Sequence, residues 1–154
     1  MTPAHDVNAP RLLRECQFHL AVVWFAVTGA LLVFMMLATF NDRFDAPAQV
    51  WDWILPTLIP TISIIVGGIV HGATAAGKDF EVDARIYRLA MGLSIAYLTL
   101  VAFAALLAGP YVVRHPGNIG VWLQNSKLWI ASVEAPVGVA LGVFFASSRP
   151  AASS

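Results

Sequence analysis

Glu134 is the residue in this sequence whose type and position most directly imply chemistry, because it is a carboxylate inside a long apolar segment. At a rise of about 1.5 Å per residue, it lies about 10 Å from the start of that segment. An ionised carboxylate at such a depth in lipid is costly unless it is paired, protonated or hydrated. Two interpretations therefore remain open. Glu134 serves as a cation site, a proton relay or one member of a ring of carboxylates around a pore, or it is a structural carboxyl that hydrogen-bonds to a neighbouring helix.

Small residues surround Glu134 at helical spacing. Ala131, Gly138 and Gly142 follow steps of three and four residues, so a helix places them on the same face as the carboxylate. The GxxxG pair is typical of faces where two helix backbones approach closely, within one chain or between chains. Pro136 removes a backbone donor at the depth of Glu134, which predicts a kink or a wet pocket there.

A second polar face is predicted around a repeated Pro-Thr pair, Pro56-Thr57 and Pro60-Thr61. Both prolines predict kinks, and the two threonine hydroxyls can donate to the carbonyls that the prolines leave free. Further small or polar residues belong to this side of the helix, namely Ser63, Gly67, Gly68, His71 and Gly72. The face either lines a water path or lets another helix pack closely. The candidate ion or pore-lining residues are Glu134, Thr57, Thr61, Ser63 and His71.

Two histidines raise the question of a cofactor. His19 and His71 fall at similar depths, as in membrane subunits of quinone-linked oxidoreductases whose histidine pairs bind haem. A histidine at a helix C-terminus is equally well explained by the helix dipole, and one at an N-terminal boundary by solvation. A single cysteine, Cys16, excludes an internal disulfide and a zinc site built from several thiolates. No cofactor or metal is predicted, and without an HExxH, GxSxG or Walker motif no enzymatic activity is expected.

The elements that carry these residues are membrane-spanning helices. Of the 154 residues 58% are hydrophobic and 12% charged, and the mean hydropathy is +0.73, which leaves too little polar surface for a soluble globule. A span needs about 20 apolar residues to cross about 30 Å of hydrocarbon. The sequence predicts spans at about 18–40, 53–72, 89–109 and 128–146. The predicted fold is an all-α integral membrane four-helix up-and-down bundle, a single domain over 1–154 with short disordered tails.

Basic residues predict the orientation of the bundle. One side collects Arg11, Arg14, Lys78, Arg85, Arg88 and Arg149, against Arg43, Arg114 and Lys127 on the other. The richer side is cytoplasmic by the positive-inside rule, which places both termini in the cytoplasm. Balanced charge argues against a nucleic-acid partner, and the composition favours a bacterial inner membrane. Asp52 is expected to cap the second helix, and Glu81 with Arg85 to form an i, i+4 pair on the third.

By architecture alone, the chain resembles the small four-helix membrane proteins that act as channel-type effectors in bacterial anti-phage systems. The resemblance implies an oligomeric channel or pore subunit, a tetramer or another ring in the lipid bilayer, controlled by a cytoplasmic protein partner. It transfers no site residue, because it rests on topology. Two alternatives remain open: a non-conducting membrane anchor or assembly subunit for a soluble partner, and a haem- or quinone-binding membrane subunit.

Overall fold

A computed structural model describes residues 11–74, 80–82, 84–146 and 149–150, with side chains described at 15–70 and 84–145. Within these ranges the chain forms long helices and very short strands. The helices are α1 (Leu13–Phe40), α2 (Pro47–Thr74), α3 (Ala84–Arg114) and α4 (Ile119–Ala146). The strands are β1 (Arg11–Leu12), β2 (Phe80–Val82) and β3 (Arg149–Pro150).

The helices confirm the predicted long apolar α-helices but extend beyond the predicted spans. α4 begins at Ile119 rather than near residue 128, and α3 continues through Pro110 to Arg114. The difference arises because hydropathy marks only the fully apolar part of a helix, whereas a helix can continue through polar residues where they meet solvent. α2 begins at Pro47, a residue suited to the first helical position. Asp52 therefore lies within α2, and the prediction that it caps this helix was wrong.

Each of the helices α1 to α4 is long and apolar enough to cross a membrane. The candidate spans cover Glu15–Phe40, Pro47–Val70, Ala84–Arg114 and Ile119–Phe145. Each is at least as long as the roughly 20 residues that a span requires. Among the described residues the architecture is thus compatible with a membrane helical bundle, and it suggests a multi-pass membrane protein in contact with a lipid bilayer.

The order of helices around the bundle differs from a simple up-and-down arrangement. α3 packs most extensively on α4, α2 packs on α4, and α1 contacts both α3 and α2. Ring contacts between Tyr111 and Trp122 at one end, and between Tyr87 and Phe144 at the other, show that α3 and α4 are antiparallel. Proceeding around the bundle, the order is α1, α2, α4, α3. The segment from 75 to 83 is long enough to cross the end of the bundle, so α2 and α3 need not be neighbours.

The helix α2 runs parallel to α4, which matters for the site between them. Near the start of both helices, Gln49 lies against Gly120, and near their ends the ring of Phe145 lies against Gly68. Both contacts belong to the same seam, here called the α2–α4 seam. A sequential up-and-down bundle would have made α4 a neighbour of α1 instead of α2, so this seam was not predicted.

Three short strands gather at one end of the bundle. β2 lies between β1 and β3 in an antiparallel sheet, with Arg11 opposite Val82 and Glu81 opposite Arg149. Glu81 is therefore in a strand, and the predicted helical pair with Arg85 was wrong. Part of the C-terminal tail, predicted to be disordered, likewise forms β3, while residues 1–10 and 151–154 lie outside the described residues. The strand end of the bundle is called the sheet end below.

At the opposite end, here the loop end, two short connections are joined. The backbone N–H of Gly117 donates to Oδ2 of Asp45 at 2.7 Å, which links the α3–α4 connection to the α1–α2 connection. Gly117 has a φ of +77°, a left-handed conformation that glycine adopts without strain. The start of α1 and the end of α4 both lie at the sheet end, so the two termini of the described chain share one end of the bundle.

Candidate functional site

Tyr97 occupies the centre of the bundle. Its side chain is 0% exposed, and its hydroxyl donates to the backbone carbonyl of Thr57 at 2.6 Å, which connects α3 to α2 across the interior. Its ring packs against the indole of Trp24 on α1, with centroids 5.8 Å apart. One side chain thus touches two other helices. A phenol this deep in an apolar bundle requires an acceptor, and the Thr57 carbonyl supplies it.

The two predicted threonines face this tyrosine. Thr57 and Thr61 are buried, and the Thr61 side chain lies within hydrogen-bonding reach of Tyr97. The hydroxyl of Thr57 donates to the carbonyl of Trp53 at 2.6 Å. That carbonyl is not one that a proline leaves free, so the expected role of Thr57 as a donor to a freed carbonyl was wrong. Both threonines point into the protein interior of the single chain.

Glu134 approaches the same region from α4. Its side chain is half-buried, and its carboxyl lies near Tyr97. The structure therefore brings together residues of α2, α3 and α4 that are far apart in sequence. These residues, Thr57, Thr61, Tyr97 and Glu134, are called the central polar cluster. The cluster lies near the middle of each helix, where it is furthest from both ends of the bundle.

The small residues around Glu134 are uncovered in the single chain. Ala131 and Gly142 are exposed, and no atom lies within 4 Å of the position that a Cβ would take on Gly138 or Gly142. Lys127, on the same side of α4, is also exposed. Ala131, Glu134, Gly138 and Gly142 are called the α4 stripe, which Lys127 precedes on the chain. Within one chain the GxxxG pair is thus not a close helix contact, and packing between chains stays a prediction.

The glycines of α2 divide into two kinds. A Cβ on Gly68 would overlap the ring of Phe145, so Gly68 is a true packing position between α2 and α4. Gly67 has no neighbouring atom within 4 Å of its Cβ position. Ser63 is exposed and donates to the carbonyl of Ile59 at 2.8 Å, outside the central polar cluster. His71 and Gly72 lie in the last part of α2, beyond the described side chains.

The prolines lie inside the helices as expected. Pro56 and Pro60 belong to α2 and Pro136 to α4. Pro56 and Pro60 are exposed, so their rings face away from the bundle core. Their functional importance as kinks stays a prediction.

Only His19 of the histidine pair has a described side chain. His19 is exposed, and its Nδ1 lies 2.8 Å from the carbonyl oxygen of Glu15 on the same helix. The side chain of His71 lies outside the described residues, so the haem interpretation stays a prediction. Among the residues that the structure describes, no group of three or more His, Cys, Asp or Glu side chains could hold a metal ion.

Several buried polar atoms have no hydrogen-bond partner among the described residues. They are Nε1 of Trp24, Oγ1 of Thr28, Nε1 of Trp53 and Oγ of Ser94. Trp24 contacts Tyr97 directly, and Ser94 lies one helical turn from Tyr97 on α3. Polar atoms in such positions are costly in an apolar interior. The centre of the bundle is therefore more polar than its hydropathy implies.

Tyr97 and Trp24 are the functional candidates that sequence reasoning missed. Tyrosine and tryptophan in membrane proteins are enriched at the interfaces, where their polar ends meet water. Both residues instead lie well inside an apolar block. The position of these two residues away from the predicted interfaces was the signal in the sequence that could have identified them. What the sequence did not reveal is that the two side chains pack on each other.

Comparison with known proteins gives no family for this chain. No model of a protein family matches it, and no curated protein or solved structure matches it either.

Proposed function

We propose that this protein is a subunit of a homo-oligomeric membrane channel in which the α4 stripe faces other copies of the chain. The observation that carries the proposal is the half-buried Glu134 within an uncovered row of small residues, Ala131, Gly138 and Gly142. A carboxylate at this depth is unfavourable next to lipid. Small residues let a second helix approach closely enough to cover it.

The central polar cluster supports a role in conduction through Glu134, because its other members are buried inside the single chain and do not line a path between copies. Thr57, Thr61 and Tyr97 form a polar interior beside Glu134, at the depth where an ion meets the highest barrier in a bilayer. One four-helix chain is too thin to enclose a water-filled path beside its own packing. A ring of copies, a tetramer or a larger ring, would place several carboxylates around one axis.

A cytoplasmic partner of the channel would meet the sheet end. We place this end in the cytoplasm of a bacterial inner membrane, because Arg11, Arg85, Arg88 and Arg149 lie there and basic residues favour that side. β1 and β3 are the outer strands of the sheet, and an outer strand can pair with a strand of another protein. Reporter fusions after Arg149 should report the cytoplasm, and insertions at Gly117 the opposite side.

The second candidate is a non-conducting anchor that binds a soluble protein at the same end. The sheet favours the anchor, because it pairs strands from both ends of the described chain with a strand of the α2–α3 connection. These three segments together form one surface for a partner. Under this proposal the α4 stripe would contact a different helix or remain in lipid.

Mass measurement and ion flux separate the two candidates. The full chain is purified in mild detergent, its mass is determined by light scattering, and the same sample is reconstituted into vesicles for flux measurements. A particle of several copies that conducts ions supports the channel. A monomer without flux would overturn it, and a stable complex with one soluble partner in that case would support the anchor.

A further inference from the structure

A polar pocket opens at the loop end of the α2–α4 seam, separate from the central polar cluster. It has a volume of about 280 Å³. α2 contributes Gln49, Asp52 and Trp53, and α4 contributes Gly120, Leu123, Gln124 and Lys127. This is called the loop-end pocket below.

The walls of the loop-end pocket carry opposite charges. Asp52 and Lys127 face it from different helices, and neither forms an ion pair or a hydrogen bond within the part of the chain that the structure describes. Both side chains are exposed. Each sits on a helix, so the backbone positions from which the two charges extend are fixed. A ligand that spans both charges would need a cationic end for Asp52 and an anionic end for Lys127.

Two amide side chains at the loop-end pocket offer further donors. Trp53 also lines the pocket but is only 1% exposed, and its indole N–H is buried. Gln49 is held close to α4 because Gly120 has no side chain: a Cβ there would lie 2.8 Å from Oε1 of Gln49. The side-chain amides of Gln49 and Gln124 can donate hydrogen bonds to an anion in the pocket.

The level of the pocket in the bundle indicates the source of such a ligand. Trp122 and Tyr111 stack on each other in the same end of the bundle. Aromatic residues of this kind are enriched where hydrocarbon meets lipid head groups. The loop-end pocket therefore lies at the depth of the lipid head groups at that end of the bundle. A head group reaches it without leaving the membrane.

We propose that the loop-end pocket binds the phosphoethanolamine group of a lipid, with the ammonium at Asp52 and the phosphate at Lys127. A primary ammonium donates hydrogen bonds to a carboxylate, which the quaternary ammonium of choline cannot do. A phosphoglycerol head group has the phosphate but no cation for Asp52. The pocket therefore selects phosphoethanolamine over both. This site does not depend on the proposed channel, because lipid binding requires only α2 and α4 of one chain.

The test measures which lipid stays bound. The full chain is placed in nanodiscs with equal parts of phosphatidylethanolamine, phosphatidylcholine and phosphatidylglycerol, transferred to mild detergent, and examined by native mass spectrometry. Phosphatidylethanolamine should be retained at least about tenfold over the other two lipids, since hydrogen bonds to charged groups are of this strength. Equal retention of all three lipids would overturn the proposal.

Variants of the two charged residues sharpen the test. Asp52→Asn should remove the preference for phosphatidylethanolamine over phosphatidylglycerol, and Lys127→Gln should reduce retention of all three lipids. The matched control is Asp42→Asn with Arg114→Gln, which changes one acidic and one basic residue at the same end but outside the pocket. The control should bind as the wild type does. A preference that survives in Asp52→Asn, or that the control also loses, would overturn the proposal.

Competition by glycerophosphoethanolamine identifies the source of the ligand. No displacement of the retained lipid supports the membrane lipid as the occupant. Displacement at concentrations near those of the lipid would show a site for soluble zwitterions and would overturn the lipid assignment. The variants change exposed side chains, and thermal unfolding of each variant verifies that the bundle is intact.

Discussion

The outer surface of α1 and α3 differs from the α4 stripe in the size of its side chains. The first surface exposes large apolar residues along its length, including Phe18, Phe25, Met36, Phe103 and Leu106. The members of the α4 stripe other than Glu134 are glycine or alanine. The outward sides of α2 and α4 also expose large residues, such as Ile59 and Leu128, so the difference is confined to the α4 stripe.

Because of this difference, hydropathy alone does not separate a surface that suits lipid from a surface that suits another helix. Both regions belong to helices that are long and apolar enough to span a membrane. Lipid tails pack well against large flexible side chains, whereas helix backbones meet only where side chains are small. The size of the side chains, read together with the single mid-depth carboxylate, is therefore the more informative property. Each prediction below tests whether the two surfaces differ in this way.

The largest effect is expected for Glu134→Gln. Glutamine keeps the shape of the side chain but removes the charge, so ion flux in reconstituted vesicles should fall to background while the mass of the particle is unchanged. Thr99→Ala is the control, because Thr99 is an exposed hydroxyl on α3 that donates to the carbonyl of Ile95 on its own helix. Wild-type flux and selectivity from Glu134→Gln would show that this carboxyl is structural.

A large effect on assembly is expected for Gly138→Leu. In the single chain nothing lies within 4 Å of the Cβ position, so the bundle itself should tolerate leucine, whereas a second copy packed on the α4 stripe should not. The oligomer should dissociate to smaller particles in light scattering.

The matched control for this variant is Gly29→Leu on α1, which also has no atom within 4 Å of its Cβ position. It should leave the particle unchanged, because large side chains already cover that surface. If both variants dissociate, or neither does, the contrast between the two surfaces is lost.

A moderate effect on stability is expected for Gly68→Ala. The new Cβ would overlap the ring of Phe145, and overpacking of this kind costs about 1–3 kcal/mol of the free energy of unfolding. Gly67→Ala is the neighbouring control, since its Cβ position has no atom within 4 Å. Thermal unfolding in detergent compares the two, and equal stability would mean that α2 and α4 do not meet at Phe145.

The smallest effect is expected for Tyr97→Phe. It removes the hydroxyl that donates to the Thr57 carbonyl. Loss of a partner for a buried acceptor lowers the free energy of unfolding by about 1–3 kcal/mol. A backbone hydrogen bond to the same carbonyl would make this loss smaller. Tyr111→Phe serves as the control, because Tyr111 is half-buried and its ring stacking on Trp122 survives the change. Thermal unfolding measures both variants. A stability loss no greater than that of the control would show that the Tyr97 bond contributes little.

Much of the fold could be predicted because it depends on local properties of the chain. Runs of apolar residues gave the long helices, and their even number put the start of α1 and the end of α4 at the same end. Predictions from neighbouring residues were wrong at two positions. Asp52 is of a type that suits a helix cap, and Glu81 is of a type that suits an ion pair within a helix. Pro47 begins α2 earlier, and pairing with β1 and β3 places Glu81 in a strand.

The candidate site could be predicted only in part. The sequence indicated Glu134, Thr57 and Thr61 because polar residues inside apolar blocks are conspicuous. It did not connect them, since nothing local indicates that Tyr97 on α3 reaches the Thr57 carbonyl on α2.

The spacing of neighbouring residues is enough to predict which segments form helices and which face of each helix is small or polar. Which of these faces meet depends on how the helices pack in the folded chain. The connection from 75 to 83 is long enough to place α3 beside α2 or across from it, and packing between side chains selected the second arrangement. That choice puts α4 beside α2, leaves the α4 stripe uncovered, and brings the central polar cluster together from three helices.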